Sequence, residues 1–181
     1  MKSFIIIFIS LIFSVTTHAA FLIEPLAGLN LGDASPGSTD YSYSSPQIGA
    51  RAGYTSFGLM LGLDYRKTLE YDRENDSNNT ETKFENDQFG AFVGYQLPVL
   101  FRLWGTYYMS SNRDNQVNSN TLKGSGYGLG VGYTGFPFLS LNLEYISRSH
   151  DERENSNGTT VAINDFDSTD IVLSISLPLS F

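Results

Sequence analysis

Eight charged side chains share one parity within alternating segments of this sequence: Glu24, Arg51, Asp64, Arg66, Arg102, Glu144, Arg148 and Asp170. Carboxylates and guanidinium groups placed this way can pair with one another or line a charged passage. An unpaired charge in an enclosed interior is costly, so pairing is the expected use. Glu24 and Arg51 fall at similar heights on consecutive segments, and Arg148 and Asp170 also come close. A second constellation is Ser147-Arg148-Ser149-His150-Asp151-Glu152, which offers hydroxyl, imidazole and carboxylate. Adjacency in sequence is not triad geometry, however. We expect a solvated histidine in a polar loop, no catalytic residue, no cofactor and no metal centre. The absence of cysteine removes disulfides, thiolate metal sites and a thiol nucleophile.

The segments that carry these charges have a period of two, as strands do. Phe21, Ile23, Ala27, Leu29 and Leu31 alternate with Glu24, Gly28 and Asn30. Ile48, Ala50, Ala52 and Tyr54 alternate with Gln47, Gly49, Arg51 and Gly53. The same two-faced pattern recurs around Leu59–Arg66, Gln88–Leu97, Phe101–Met109, Gly126–Tyr133, Leu139–Arg148 and Ile171–Phe181, for eight segments in all. One face gathers Leu, Val, Ile and aromatic residues, and the other gathers glycines, amides and the charges. On the sixth segment Gly126, Gly128, Gly130 and Gly132 lie on the polar face, while the fifth puts Trp104 and Tyr108 there. We expect these two rings to lie across the glycine track and fill the interior, since aromatic cover of a neighbouring glycine is a known sheet device. The GxGxGxG run precedes no helix and is not a phosphate-binding fingerprint.

Connection lengths alternate. Short links fall at Ser56-Phe57, Pro98-Val99 and Gly135-Phe136-Pro137, whereas residues 33–45, 72–86, 112–122 and 149–164 are long and polar. Tyr54, Phe57, Tyr95, Phe101, Tyr133, Phe136, Phe138 and Phe181 gather toward the short links, and Tyr65, Tyr71, Tyr107, Tyr127 and Tyr145 toward the long ones. Two aromatic girdles flanking an apolar band are expected where a barrel crosses a bilayer. Residues 4–15 form an apolar run after Lys2, too short to span a membrane as a helix, and Thr17 and Ala19 are small residues placed for cleavage. A signal peptide over residues 1–19 would leave a single domain over residues 20–181, of 162 residues (181 − 19). The formal charge of −8 argues against a nucleic-acid partner.

The architecture, the leader and the terminal Phe181 together resemble the small eight-stranded bacterial outer-membrane β-barrels, such as the OmpA transmembrane domain and OmpX. The resemblance implies an all-β, eight-stranded antiparallel up-and-down transmembrane β-barrel with both termini periplasmic and the long loops extracellular. It also implies that Phe181 is an assembly signal read by the outer-membrane assembly machinery, and that lipid and lipopolysaccharide surround a monomer. The function expected is structural or adhesion-like, with a surface ligand reached through the acidic loops. Those loops carry Asp72, Glu74, Asp76, Glu81, Glu85 and Asp87 on one connection and Asp151, Glu152, Glu154 and Asp165 on another, without the spacing of an EF-hand. A small transport or ligand-binding barrel is the alternative. A lipid A-modifying enzyme stands behind it, because the His150 segment departs from the His-x-Ser-Asn arrangement of lipid A 3-O-deacylases. A soluble lipocalin-type barrel would turn the apolar face inward instead.

Overall fold

Alternation of large apolar with small or polar residues makes the chain β-structure throughout its described length. The computed structural model describes residues 19–35, 41–73, 82–115, 120–155 and 158–181. The expected leader lies outside these except for its last residue. The strands are β1 (Ala20–Ser35), β2 (Tyr41–Ser56), β3 (Leu59–Arg73), β4 (Thr82–Gln96), β5 (Phe101–Asn115), β6 (Asn120–Phe136), β7 (Leu139–Glu154), β8 (Thr160–Ser176) and a short β9 (Leu179–Ser180). Each of β1 to β7 pairs antiparallel with the next, and β1 also pairs with β8, so the sheet closes on itself. β9 continues β8 past Leu177-Pro178 and pairs with Leu22 and Ile23 of β1. Phe181 then exchanges two backbone hydrogen bonds with Phe21, each 3.0 Å. The architecture is a closed eight-stranded antiparallel barrel with sequential strand order.

The stagger follows from the registers. Starting at Glu24, paired positions run Arg51, Asp64, Gly90, Tyr108, Gly126, Arg148 and Ser168, and return to β1 at Ala34. The row has climbed ten residues (34 − 24) in one circuit. Closure with such a stagger tilts the strands about 35–45° from the barrel axis. Residues facing one another across the lumen are therefore distant in both sequence and register.

Side chains obey the alternation. Leu29, Ile48, Leu61, Val93, Leu103, Leu129, Leu143 and Leu173 are exposed on the outer wall. Glu24, Arg51, Asp64, Arg66, Arg102, Glu144, Arg148 and Asp170 are buried inside. The apolar face is the outer one, opposite to a lipocalin. Tyr54, Phe57, Phe101, Phe136, Phe138 and Phe181 are exposed toward the short turns, and Tyr65, Tyr107, Tyr127 and Tyr145 toward the other end. The side chain of Tyr71 lies outside the described ones.

The structure corrects three boundaries, one of them the link between β6 and β7, which moves from Gly135-Phe136-Pro137 to Pro137-Phe138 because β6 runs on to Phe136. Most of the long polar connections are strand, because backbone pairing continues well past the last apolar residue. The eight main strands have 15–17 residues, whereas about 9–11 suffice to cross a bilayer. The rim opposite the short turns therefore projects. The first short link also moves by one residue, to Phe57-Gly58, with φ of 52° and 79°. Both central residues of a tight type I′ hairpin require positive φ, which Gly58 adopts freely and Phe57 does not.

Candidate functional site: the charged interior

The chemistry-bearing residues converge inside the barrel because all share the inward parity of their strands. Toward the short-turn end, three carboxylates meet three arginines. Arg51 Nε donates to Asp64 Oδ2 at 2.8 Å and Arg51 Nη2 to Glu144 Oε2 at 2.9 Å. Arg66 bonds Asp64 through Nε and Nη2, both at 2.8 Å, and Glu144 through Nη1 at 2.9 Å and Nη2 at 2.7 Å. Arg102 forks onto Glu24, and its Nη2 also donates to Asn142 Oδ1 at 2.9 Å and Ser176 Oγ at 3.0 Å. Arg51 Nη1 lies 3.8 Å from Glu24 Oε1, which joins the two halves. Bidentate guanidinium–carboxylate pairs satisfy several donors with fixed geometry, which is what burial demands.

Aromatic rings complete this layer. Trp104 Nε1 donates to Glu144 Oε2 at 3.0 Å. The Arg51 guanidinium stands 4.4 Å from the Trp104 ring centre and 5.6 Å from that of Phe92, and Arg102 stands 5.0 Å from Trp104 on its own side. Cations over ring faces gain electrostatic attraction, more so when desolvated. Beneath lies a cluster of buried Leu22, Met60 and Phe92.

A second charged group sits nearer the rim. Arg148 pairs with Asp170, which also accepts from Asn30 Nδ2 at 3.0 Å and from Tyr43 OH at 2.5 Å. Arg113 Nη2 donates to that Tyr43 oxygen at 3.1 Å and its Nε to Asn86 Oδ1 at 3.2 Å. With its amide oxygen turned toward the guanidinium, Gln88 accepts from Arg148 Nε at 2.5 Å and Nη2 at 2.7 Å. On the outside of the projecting strands, Lys67 pairs with Glu85 at 3.1 Å and Lys123 with Glu154 at 2.5 Å. The Glu154 hydrogen bond holds the Lys123 ammonium above its ordinary value.

The structure places all eight of the sequence-identified charges in these two groups, with Glu24 and Arg51 in direct register and Arg148 on Asp170. The glycine track differs from expectation. An added Cβ would meet the Trp104 ring only at Gly130 and Tyr108 at Gly128, whereas Gly132 abuts Arg102 and Asn142, and Gly126 abuts Arg148. The tilt lets each ring cover one glycine and hands the outer two to charged neighbours. His150 is also corrected. It is fully buried, because the strand runs on through it and its parity is inward. Ser147 and Ser149 occupy the other parity, so the strand sets them on the opposite face from the imidazole. Leu22, Leu26, Ile146 and Val172 are buried inside and were overlooked. Their parity with Glu24, Glu144 and Asp170 was the available signal, and it also marked Asn30, Tyr43, Gln88 and Asn142, whereas Arg113 turns inward only because a bulge between Tyr108 and Ser111 switches the parity of β5. Of the acidic loop residues, the side chains of Asp72, Glu74, Asp76, Glu81 and Asp165 lie outside the described ones. Among the described residues no three metal-ligating side chains gather.

The family model for the outer membrane protein beta-barrel domain matches residues 5–177. No curated protein matches the sequence at a significant level. Among solved structures, Ail, the attachment invasion locus protein of Yersinia pestis, in complex with the heparin analogue sucrose octasulfate, superposes with a TM-score of 0.60. It is 10% identical, over 88% of this chain and 99% of Ail. Neisserial surface protein A gives 0.57 at 19% identity, over 90% and 99%. OprG from Pseudomonas aeruginosa gives 0.53 at 10% identity, over 90% and 98%. At these identities the likeness is one of fold.

Proposed function

Since this chain belongs to the outer membrane protein beta-barrel domain family, we propose that it serves the bacterial outer membrane as a non-conducting, surface-interacting protein with a structural or adhesion-like role. The observation that carries this reading is the layer of Glu24, Asp64 and Glu144 against Arg51, Arg66 and Arg102. It draws side chains from β1, β2, β3, β5 and β7 into one bonded cluster across the lumen. An eight-stranded barrel is only wide enough for its side chains to fill. The projecting strands give the second support. They raise Glu85, Asp87, Asp114, Asp151 and Glu152 beyond the apolar band, where a partner in the medium meets them first. Ail, similar in fold, has a structure with a heparin analogue. On this acidic rim the matching ligand chemistry is cationic or neutral.

In this reading the short turns and both termini face the periplasm, residues 1–19 are removed on export, and Phe181 is read during assembly. Lipid and lipopolysaccharide contact the outer wall of a monomer. Planar-bilayer recording of the refolded protein tests the closed lumen: no ohmic unitary current is expected at neutral pH, and a stable one overturns it. Binding of cells that display the protein, with residues 74–81 or 116–119 deleted, tests the surface role. Loss of binding is expected, and unchanged binding to every host surface tried counts against adhesion.

A further inference from the structure

The strained backbone of the barrel is gathered at one end. Among the described residues the non-glycine positions of positive φ are Phe57 at 52°, Leu100 at 64° and Phe138 at 62°. Each belongs to a different short turn, between β2 and β3, β4 and β5, and β6 and β7. Glycine, asparagine and aspartate ordinarily take such positions, and a bulky side chain there is a steric outlier. Phe138 follows Pro137, a place in a tight turn where positive φ calls for Gly or Asn. Neighbouring strands brace two of the turns: Gln96 N donates to Gly58 O and Thr134 N to Leu100 O, both at 2.7 Å. The three side chains stand out from the protein, 61%, 52% and 79% exposed. Charge is missing from the same end. Residues 52–63, 89–101, 127–143 and 171–181 contain no Asp, Glu, Lys or Arg. The charges nearest the turns, Arg51, Asp64, Arg102 and Glu144, are all buried in the lumen. The opposite end differs, with the Lys67–Glu85 and Lys123–Glu154 pairs on its outside.

Turn tips standing in water would suffer backbone strain and apolar exposure together, and Asn at each would relieve both. A lipid interface turns the second loss into a gain, and an uncharged flank lets the chain enter it without desolvating a charge. We propose that the three short turns form a lipid-docking rim: Phe57, Leu100 and Phe138 enter the glycerol and upper acyl-chain zone of the leaflet at that end, the inner leaflet in the orientation proposed above. The exposed apolar wall runs into the tips without interruption, from Leu61 through Leu59 to Phe57, from Leu103 through Phe101 to Leu100, and from Leu141 through Leu139 to Phe138. Girdle rings such as Tyr54 lie on strands. The tips lie past them, in a turn conformation that their own side chains disfavour. The depth is interfacial, because turn amides without partners need headgroup water. The tips leave the wall at three points around the circumference, which a surrounding leaflet meets together and a partner bound to one side does not. The inference rests on the membrane reading, and on the orientation only for naming the leaflet.

Quenching of an added tryptophan in protein refolded into phospholipid vesicles tests this. In Phe138→Trp the added emission is expected to be quenched by bromine placed near the glycerol end of the acyl chains and shielded from aqueous acrylamide. Quenching by acrylamide as in a free indole, with no loss to bromine, overturns the proposal. Shielding from both quenchers overturns it too, because a second copy or another protein would then cover the tip. Leu129→Trp, on the exposed wall, separates the two readings. Bromine quenching there with none at the tip sinks the docking rim alone, and quenching at neither site sinks the membrane reading with it. Phe138→Asn supplies the second readout. Asn accepts positive φ, so at a tip in water the urea midpoint rises. At a tip in lipid it falls, with the folding equilibrium constant lowered by about tenfold for the lost burial of the ring. An unchanged or raised midpoint overturns the proposal.

Discussion

Replacing Glu144 by Gln removes one negative charge and almost no volume from the most connected point of the interior. Glu144 accepts from Arg51 Nη2, Arg66 Nη1 and Nη2, and Trp104 Nε1. The amide retains one acceptor oxygen but turns an NH₂ toward donors, and three buried arginines then face two carboxylates. Breaking a buried pair by removing one partner costs about 3–5 kcal/mol, which shifts the folding equilibrium by about two to four orders of magnitude. Urea titration of the protein in phospholipid vesicles, with gel mobility of unboiled samples as a second measure, reads the loss. Adding Arg66→Gln restores balance, two against two, and is expected to recover part of it. Glu154→Gln, whose partner Lys123 is solvent-exposed, is expected to leave the midpoint unchanged. A loss below about 1 kcal/mol for Glu144→Gln, with native mobility, refutes the reasoning that this cluster is a mutually dependent unit.

Gly130→Ala places a methyl group within the contact distance of the Trp104 ring. It is expected to destabilise by about 1–3 kcal/mol and to shift the Trp104 emission, whereas an unchanged spectrum and midpoint would detach the ring from the track. Gly105→Leu points to the outer wall, where the nearest atom is Leu129 Cδ2 at 3.6 Å. It is expected not to lower the midpoint, and a marked loss would show that this wall is covered by something other than lipid. Phe181→Ala preserves the two backbone bonds to Phe21. It is expected to reduce assembled protein in cells while leaving the stability of vesicle-refolded protein near wild type. Equal losses in both would reduce Phe181 to an ordinary strand residue.

The barrel was legible in the sequence because lipid and lumen impose opposite chemistry on alternate residues. Leu141, Leu143 and Tyr145 against Asn142 and Glu144 declare both faces without reference to any partner. Adjacent pairs were legible too, since Glu24 and Arg51 sit opposite one another on consecutive strands. Contacts across the lumen were not. Arg66 of β3 reaches Glu144 of β7 only because closure and a ten-residue stagger bring those positions together, and no local pattern encodes the stagger. The projecting strands were missed for a different reason. Beyond the apolar band both faces are polar, so the alternation fades while backbone hydrogen bonds continue, and His150 was read as solvated for that cause. Parity alone would have placed it inside.

The central claim is that the apolar wall meets lipid while the charges and Trp104 hide within. The chain has a single tryptophan, so its fluorescence reports on that claim without any substitution. In vesicles whose acyl chains carry bromine, and separately with aqueous acrylamide, Trp104 of the folded protein is expected to be quenched by neither. Strong quenching by the brominated chains would place the indole in lipid and contradict the assignment of inside and outside.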